Sequence, residues 1–324
     1  MSVLVSSAGR RVALVEIVRA VLEELDLPPR VVAADAALLS AACAVADRAA
    51  LVPPCTDPDF VPSLIEICRE EQIRLLIPTI DPELPALAAA RADFAAVGTT
   101  VAVSAPEVVR TTSDKRLAHR LLVRHGLPTV EQDEVATVRS AGWDFPLVVK
   151  PVAGSASEGV HVVTTRTAFE AAVESGDVVV QRHARGEEYT VDCLVDNFGR
   201  MLGAVPRRRL AVRGGEVSKG RTVDVPALTQ VAGDVCAALP GAFGVLNVQL
   251  FLDPDDGSIS IIEVNPRFGG GYPLSHAAGA PFVRWLIQHA WGRRAELDMS
   301  WRDGVVMLRF DAAVFLDSDG KPIS

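Results

Sequence analysis

A chain of 324 residues with a formal net charge of -9, 49% hydrophobic and 5% aromatic, is long enough for two or three cores and too apolar to stay disordered. The excess of acid disfavours nonspecific binding to nucleic acid or to an anionic membrane, so any arginines that bind phosphate must be grouped locally. Five cysteines (Cys43, Cys55, Cys68, Cys193, Cys236) without a CxxC pair, a start that reads as a strand rather than a leader, and the lack of any apolar run of roughly 20 residues together point to a reduced, cytoplasmic protein.

A first strand at residues 3–5 leads through Ser6, Ser7, Ala8, Gly9, Arg10 and Arg11 into an amphipathic helix over about 12–25. A second strand at 31–34 ends at Asp35. A short element near 50–52 precedes a helix near 60–70, and a strand at 75–77 ends on Thr79, Ile80 and Asp81. Such alternation predicts a parallel sheet with helices on both faces, whose ligands gather at the carboxyl ends of the strands. That rule singles out Gly9, Arg10, Arg11, Asp35, Asp81 and Glu83. The two arginines can hold an anion at a helix N-terminus or simply be solvated in a first turn. Asp81 and Glu83 can face a ligand or complement a helix dipole. One glycine falls short of a dinucleotide fingerprint.

Near residue 112 the pattern changes. Ser113 or Asp114 caps a helix that runs to about His125, and a strand at 145–151 carries Lys150 near its end. Gly154, Ser155, Ser157 and Gly159 then form a loop before a strand at 160–163. This is a flexible hairpin, not the strand, loop and helix of a Walker P-loop, yet its N–H groups can wrap phosphate oxygens. After a helix near 168–174 and a strand at 178–181, the arginine-rich stretch 206–213, with Gly214, Gly215 and Lys219 behind it, reads as a mobile loop closing over anions or as solvated charge.

Further on, the turn at 253–257 lets Gln249 on one strand face Glu263 on the next, and strand periodicity puts Asn265 on the same side as Glu263, with Arg267 continuing it. A carboxylate with carboxamide oxygens suits a divalent cation such as Mg²⁺. Two ordinary hairpin strands with a surface glutamate and a turn asparagine are the competing reading.

Asp114 with Lys115, Lys150 with Pro151, Gly154 to Gly159, Gly186 with Glu188 to Asp192, Asn247 with Gln249, and Glu263 with Asn265 and Arg267, taken in that order, resemble the ATP-grasp superfamily. More closely they are similar to its carbamoyl-phosphate-synthase-like group, which includes an amino-acid ligase of the pyrrolysine pathway. The resemblance implies an α/β and α+β fold: an N-terminal parallel-sheet pre-ATP-grasp domain (1–112), a lobe with the lid (113–184), and a second lobe with the metal site and a C-terminal extension (185–324). It implies that ATP lies between the two lobes. Lys115 and Lys150 would contact phosphate oxygens, and Gly154, Ser155, Ser157 and Gly159 would cover them. Gln181 would meet the adenine amino group, Arg182 and Ala184 would offer backbone contacts, and Glu188 would bind the ribose.

The resemblance further implies that Gln249, Glu263 and Asn265 hold Mg²⁺ or Mn²⁺. Arg267 would stabilise the transition states, with Arg209 and Lys219 closing over the same charge. Arg10, Asp81, Glu83, Arg213, Gly270, Gly271 and Tyr272 would line the substrate pocket. The implied activity is an ATP-dependent carboxylate–amine ligase that works through an acyl phosphate and releases ADP and phosphate, on small-molecule carboxylate and amine substrates. A homodimer is compatible with it. A bicarbonate- or carbamate-phosphorylating enzyme and a noncatalytic ATP-binding module are the alternatives. Gln249 stands where many members carry an acid, and none of His161, His183 or His276 is needed as a base.

Overall fold

Short runs of valine, leucine, isoleucine and alanine, buried on both sides, are what a parallel sheet sandwiched between helices requires. In the computed structural model, which describes residues 1–154, 158–174, 176–293 and 297–318, strands β1 (Ser2–Ser6), β2 (Val31–Asp35), β3 (Arg48–Leu51), β4 (Ile73–Pro78) and β5 (Thr100–Val101) form such a sheet. All pair in parallel, in the order β3-β2-β1-β4-β5. Alternate residues of β1 feed different cores. Leu4 packs with Phe60 and Leu64 of helix Phe60–Glu70. Val3 and Val5 share a second core with Val15 and Val18 of helix Val12–Glu24 and with Phe282 and Leu286 of helix Phe282–Ala290. That second core also takes in Leu194 and Val205, so it joins the N-terminal sheet to the C-terminal part of the chain.

The middle of the chain forms a smaller antiparallel sheet of β6 (Gln132–Asp133), β7 (Leu147–Pro151), β8 (His161–Val163) and β9 (Val178–Arg182), in the order β6-β9-β7-β8. The expected hairpin at 145–163 is β7 paired with β8. Its approach is set by helix Lys115–Arg124, whose N-cap Asp114 accepts from the N–H groups of Arg116 and Leu117.

A larger antiparallel sheet follows: β10 (Glu187–Val195), β11 (Met201–Arg213), β12 (Glu216–Thr222), β13 (Gly244–Leu252), β14 (Ile259–Asn265) and β15 (Val306–Leu308), in the order β14-β13-β10-β11-β12-β15. Val191, Val248 and Val264 bury one face against helix Pro226–Ala237. The other face sends Leu194, Val205 and Val245 into the core shared with the N-terminal sheet and is polar beyond them. Arg207, Thr190, Gln249 and Glu263 stand opposite one another across β11, β10, β13 and β14 and so point the same way. The hairpin register expected for Gln249 and Glu263 is therefore present.

The arginine-rich stretch corrects the expectation of a mobile loop. It is the end of β11, and Gly214 and Gly215 (φ +57° and +74°) make the two-residue turn into β12. Positive φ at both central positions is what a tight hairpin turn demands, so the paired glycines continue a sheet. All five cysteines are unpaired. Among the described residues no helix is long and apolar enough to cross a membrane.

Candidate active site

The polar face of the large sheet forms part of the wall of two cavities that meet at Gln249 and Glu263. The smaller, about 190 Å³, lies between the two antiparallel sheets and is lined by Lys115, Lys150, Gly154, Gln181, Arg182, Ala184 and Glu188 among others. Lys115 Nζ donates to Gly154 O at 3.2 Å, tying helix to hairpin. Lys150 is buried, and burial pulls its ammonium down to about 8; Glu263 and Glu188 act to raise it and Lys115 to lower it. A cation held in that state is short of a counter-charge.

Gln181 donates its amide nitrogen to Gln132 Oε1 at 2.8 Å, which leaves its own oxygen as an acceptor. The guanidinium of Arg182 lies 4.4 Å from the Trp143 ring centroid and its Nε donates to Glu131 at 3.1 Å, so it is occupied outside the cavity. Glu188 sits 3.1 Å from Arg209. Gly159 is not part of the lining: a side chain there would meet Pro151, so its freedom serves packing behind the hairpin. Ser155 and Ser157 lie outside the described residues.

The larger cavity, about 350 Å³, opens where the carboxyl ends of β1 and β4 face the large sheet. Arg267 crosses this gap. Its Nε and Nη2 hold Asp81 in a two-pronged fork at 2.9 and 2.5 Å, and both side chains are mostly buried. Beneath it, Arg207 grips Asp192 at 2.8 Å through two nitrogens with both side chains fully buried, and Ser275 Oγ adds a hydrogen bond to Asp192 at 2.6 Å. A Cβ on Gly271 would collide with the Arg207 guanidinium, and one on Gly270 would lie 2.7 Å from Arg11 Nη1. These glycines let backbone rest directly on charged groups. Arg11 in turn bonds Glu216, whose other oxygen takes Arg309, each at 2.8 Å. Burial raises the Glu216 carboxyl, but Arg11 and Arg309 outweigh it and hold it below the ordinary range.

The donor set fits a divalent cation. Asn247 donates Nδ2 to the Arg267 carbonyl at 2.9 Å, and Asn265 donates Nδ2 to Asn247 Oδ1 at 3.3 Å. This relay leaves Asn265 Oδ1 free to accept, beside the carboxylate of Glu263 and the carboxamide of Gln249, an all-oxygen set suited to Mg²⁺. Among the described residues no cluster of three acidic, histidine or cysteine side chains exists to bind a metal instead.

Four further expected residues, three for the substrate pocket and Lys219 for catalysis, are placed elsewhere. Glu83 is fully buried behind the wall, where it accepts from the N–H groups of Thr79 and Ile80 at 2.7 and 3.1 Å and from Ser7 Oγ at 2.9 Å; burial raises its carboxyl against those bonds. It shapes the turn that presents Asp81. Tyr272 is buried between Phe268 and Phe282, its hydroxyl accepting from Val283 N–H at 3.3 Å. Lys219 and Arg213 are exposed on the far part of the β11–β12 hairpin, with Arg213 paired to Asp311. Arg10, Asp81, Arg209, Gly270 and Gly271 do line the larger cavity. Sequence reasoning does not reach Thr190 or Arg207. The alternation of Glu188, Thr190 and Asp192 is the signal that points to Thr190; Arg207 needs the strand pairing.

A parallel-sheet domain joined to two antiparallel sheets, with a buried lysine and the acids Glu188 and Glu263 lining the cleft between those two sheets, is a two-lobed architecture. Residues 112–271 match the family model of the ATP-grasp domain and residues 3–102 that of the PylC-like N-terminal domain, and the chain belongs to the ATP-grasp superfamily. It is 26% identical over 268 residues to the chloroplastic arginine-specific large chain of carbamoyl phosphate synthase from Oryza sativa subsp. japonica, covering 71% of this chain and 23% of that one. It is 29% identical over 233 residues to D-alanine–D-alanine ligase A of Bradyrhizobium diazoefficiens, covering 60% of this chain and 61% of that one. The chain thus spans less than two thirds of either relative. The solved structure of an L-amino acid ligase from Bacillus licheniformis is alike in fold, with a TM-score of 0.73 at 19% identity over 93% of this chain and 77% of that one.

Proposed function

We propose that the chain is an ATP-dependent carboxylate–amine ligase acting on small, amino-acid-like substrates. The observation that carries this reading is that the two cavities share Gln249 and Glu263. A nucleotide in the smaller one would end, at its terminal phosphate, beside whatever occupies the larger one. The D-alanine ligase relative lends support, since its name describes the joining of two amino acids. The reading takes 1–112, 113–184 and 185–324 as its working units, and includes a cytoplasmic setting and assembly as a homodimer.

In this reading Lys115 and Lys150 hold phosphate oxygens together with the backbone near Gly154. Glu188 accepts from ribose hydroxyls, the free oxygen of Gln181 accepts from the adenine amino group, and Arg182 and Ala184 offer backbone contacts. Glu263, Asn265 and Gln249 hold Mg²⁺, which when bound neutralises phosphate charge. A substrate carboxylate oxygen attacks the γ-phosphorus. The bond from that phosphorus to the bridging oxygen breaks, and ADP leaves with the electron pair. An amine arriving as the free base then forms a C–N bond at the acyl carbon, the C–O bond to phosphate breaks, and the spare proton passes to solvent. Arg267, already aimed by Asp81, can bind two oxygens of the phosphoryl or tetrahedral group at once.

ADP release measured with Mg²⁺ and a panel of carboxylates and amines tests the proposal. Amide product with one ADP per bond is the expected result. Dependence on bicarbonate would favour a carboxyphosphate-forming enzyme, and tight ATP binding with no turnover would favour a noncatalytic module. Glu263→Gln should weaken the activating metal at least roughly tenfold, the lower end of what even outer-shell changes cost, read as a shift in the Mg²⁺ concentration for half-maximal rate. An unchanged Mg²⁺ dependence would remove Glu263 from the metal site.

A further inference from the structure

The carboxylates in the wall of the larger cavity are already neutralised, apart from Glu263. Asp81 is held by Arg267, and Glu216 by Arg11 and Arg309. The arginines Arg11, Arg207, Arg209 and Arg267 are likewise ion-paired, but two buried donor atoms of the wall make no hydrogen bond. Thr190, 2% exposed, has its Oγ1 buried in the cavity wall with no hydrogen-bond partner among the described residues, and the same is true of Arg209 Nε. Arg209 Nε lies 3.1 Å from Glu188 Oε1 without the alignment of a hydrogen bond. Buried polar atoms without partners are costly and rare, so two of them on one cavity point to a ligand that completes them. At the exposed rim, Arg10 has no ion-pair partner among the described residues; it adds to the field on Glu216, whose two oxygens are both taken by other arginines.

Resting on the ligase reading, we propose that the acid phosphorylated here is a small dianion. Its reacting carboxylate is held by Thr190 Oγ1 and Arg209 Nε beside Gln249 and Glu263, and its second anionic group is read by Arg10. The absence of an unpaired acid other than Glu263 among the described lining residues leaves nothing to balance a substrate ammonium, whereas an attacking amine must be uncharged and needs no such partner. The cavity, about 350 Å³, is at the small end for ligand pockets, which run roughly 300–1,000 Å³. A short dicarboxylic acid or a phosphorylated carboxylic acid supplies the shared chemistry, since guanidinium binds both groups through paired donors.

The test uses the full chain with ATP, Mg²⁺ and hydroxylamine as an amine that captures acyl phosphates. Dicarboxylic acids of graded length, phosphorylated hydroxy acids and the monoamides of the same dicarboxylic acids are compared by ADP release. A dianion should exceed its monoamide at least ~10-fold in kcat/KM, on the scale of one hydrogen bond to a charged group. The dicarboxylic and phosphorylated arms tell which anion Arg10 reads. Arg10→Ala should erase the preference by raising KM for the dianion, and Arg10→Lys should keep part of it. Thr190→Val, which preserves shape, should lower kcat/KM about tenfold for every accepted acid, with the loss falling on the acid rather than on ATP.

Monoamides or simple monoacids turned over as well as dianions would overturn the inference and leave the ligase reading standing. Dianions that bind in the presence of ADP and Mg²⁺, by calorimetry, yet never release ADP from ATP would uphold the cavity assignment and defeat the ligase reading. If no dianion either binds or turns over, the inference falls.

Discussion

Replacing Arg267 by alanine should lower kcat by at least ~100-fold while ATP affinity changes little, the scale on which one preorganised transition-state donor acts. The side chain starts two residues past β14, crosses the larger cavity and is gripped by Asp81 in the turn that follows β4. Its remaining nitrogen donates to the Phe268 carbonyl at 3.1 Å, so the guanidinium plane is fixed before any substrate enters. Fixed donors incur no reorganisation when charge develops, which is why the loss should appear in kcat rather than in binding. On the proposed mechanism Asp81, which pairs with Arg267, acts through it as a positioning residue, so Asp81→Ala should cost less than Arg267→Ala. The double variant should then be no worse than Arg267→Ala alone, because residues acting as one unit are not additive. Single-turnover rates, with thermal unfolding as a check on folding, separate these outcomes. Near-normal turnover in Arg267→Ala would remove the residue from the mechanism.

What could be read from the sequence depended on range. Gln249 and Glu263 are joined by a hairpin whose turn residues lie between them, so a local signal set their register and the structure has it. Lys150 at the end of a strand and Asp114 as a cap are equally local. The Arg207–Asp192–Ser275 cluster is different. It joins β11, β10 and helix Tyr272–Ala277, and only the tertiary pairing makes three scattered polar residues one buried group. Glu83 and Tyr272 failed for the converse reason. Each sits within two residues of a cavity residue in sequence, but an acid that caps backbone N–H groups and an aromatic ring between two others gain more from burial than from facing a ligand. Read without the sheet, the arginines of 206–213 lacked the alternation that sends Arg207 and Arg209 into the cavity and leaves Arg213 in solvent.

Lys150 should make nucleotide binding proton-linked above about pH 8. Burial depresses its ammonium to about 8 from the ordinary 10.5, with Glu263 and Glu188 opposing the shift and Lys115 adding to it. Between these values the unfolded chain holds a proton that the folded chain has released. Stability from this group therefore rises with pH across that window, and at neutral pH keeping the ammonium costs roughly 3 kcal/mol. A triphosphate beside it restores the missing counter-charge and lifts the affinity for the proton again. Well above pH 8 the free protein carries mostly neutral Lys150, so binding there takes up a proton, and affinity should fall by up to about tenfold per pH unit. Calorimetry in two buffers of different ionisation enthalpy reads the uptake directly. Lys150→Arg, whose side chain stays charged throughout, should abolish the uptake while retaining part of the affinity at pH 7. Equal affinity at pH 7.5 and 9.5 with no proton uptake would show that the buried lysine is not the group the nucleotide phosphates meet.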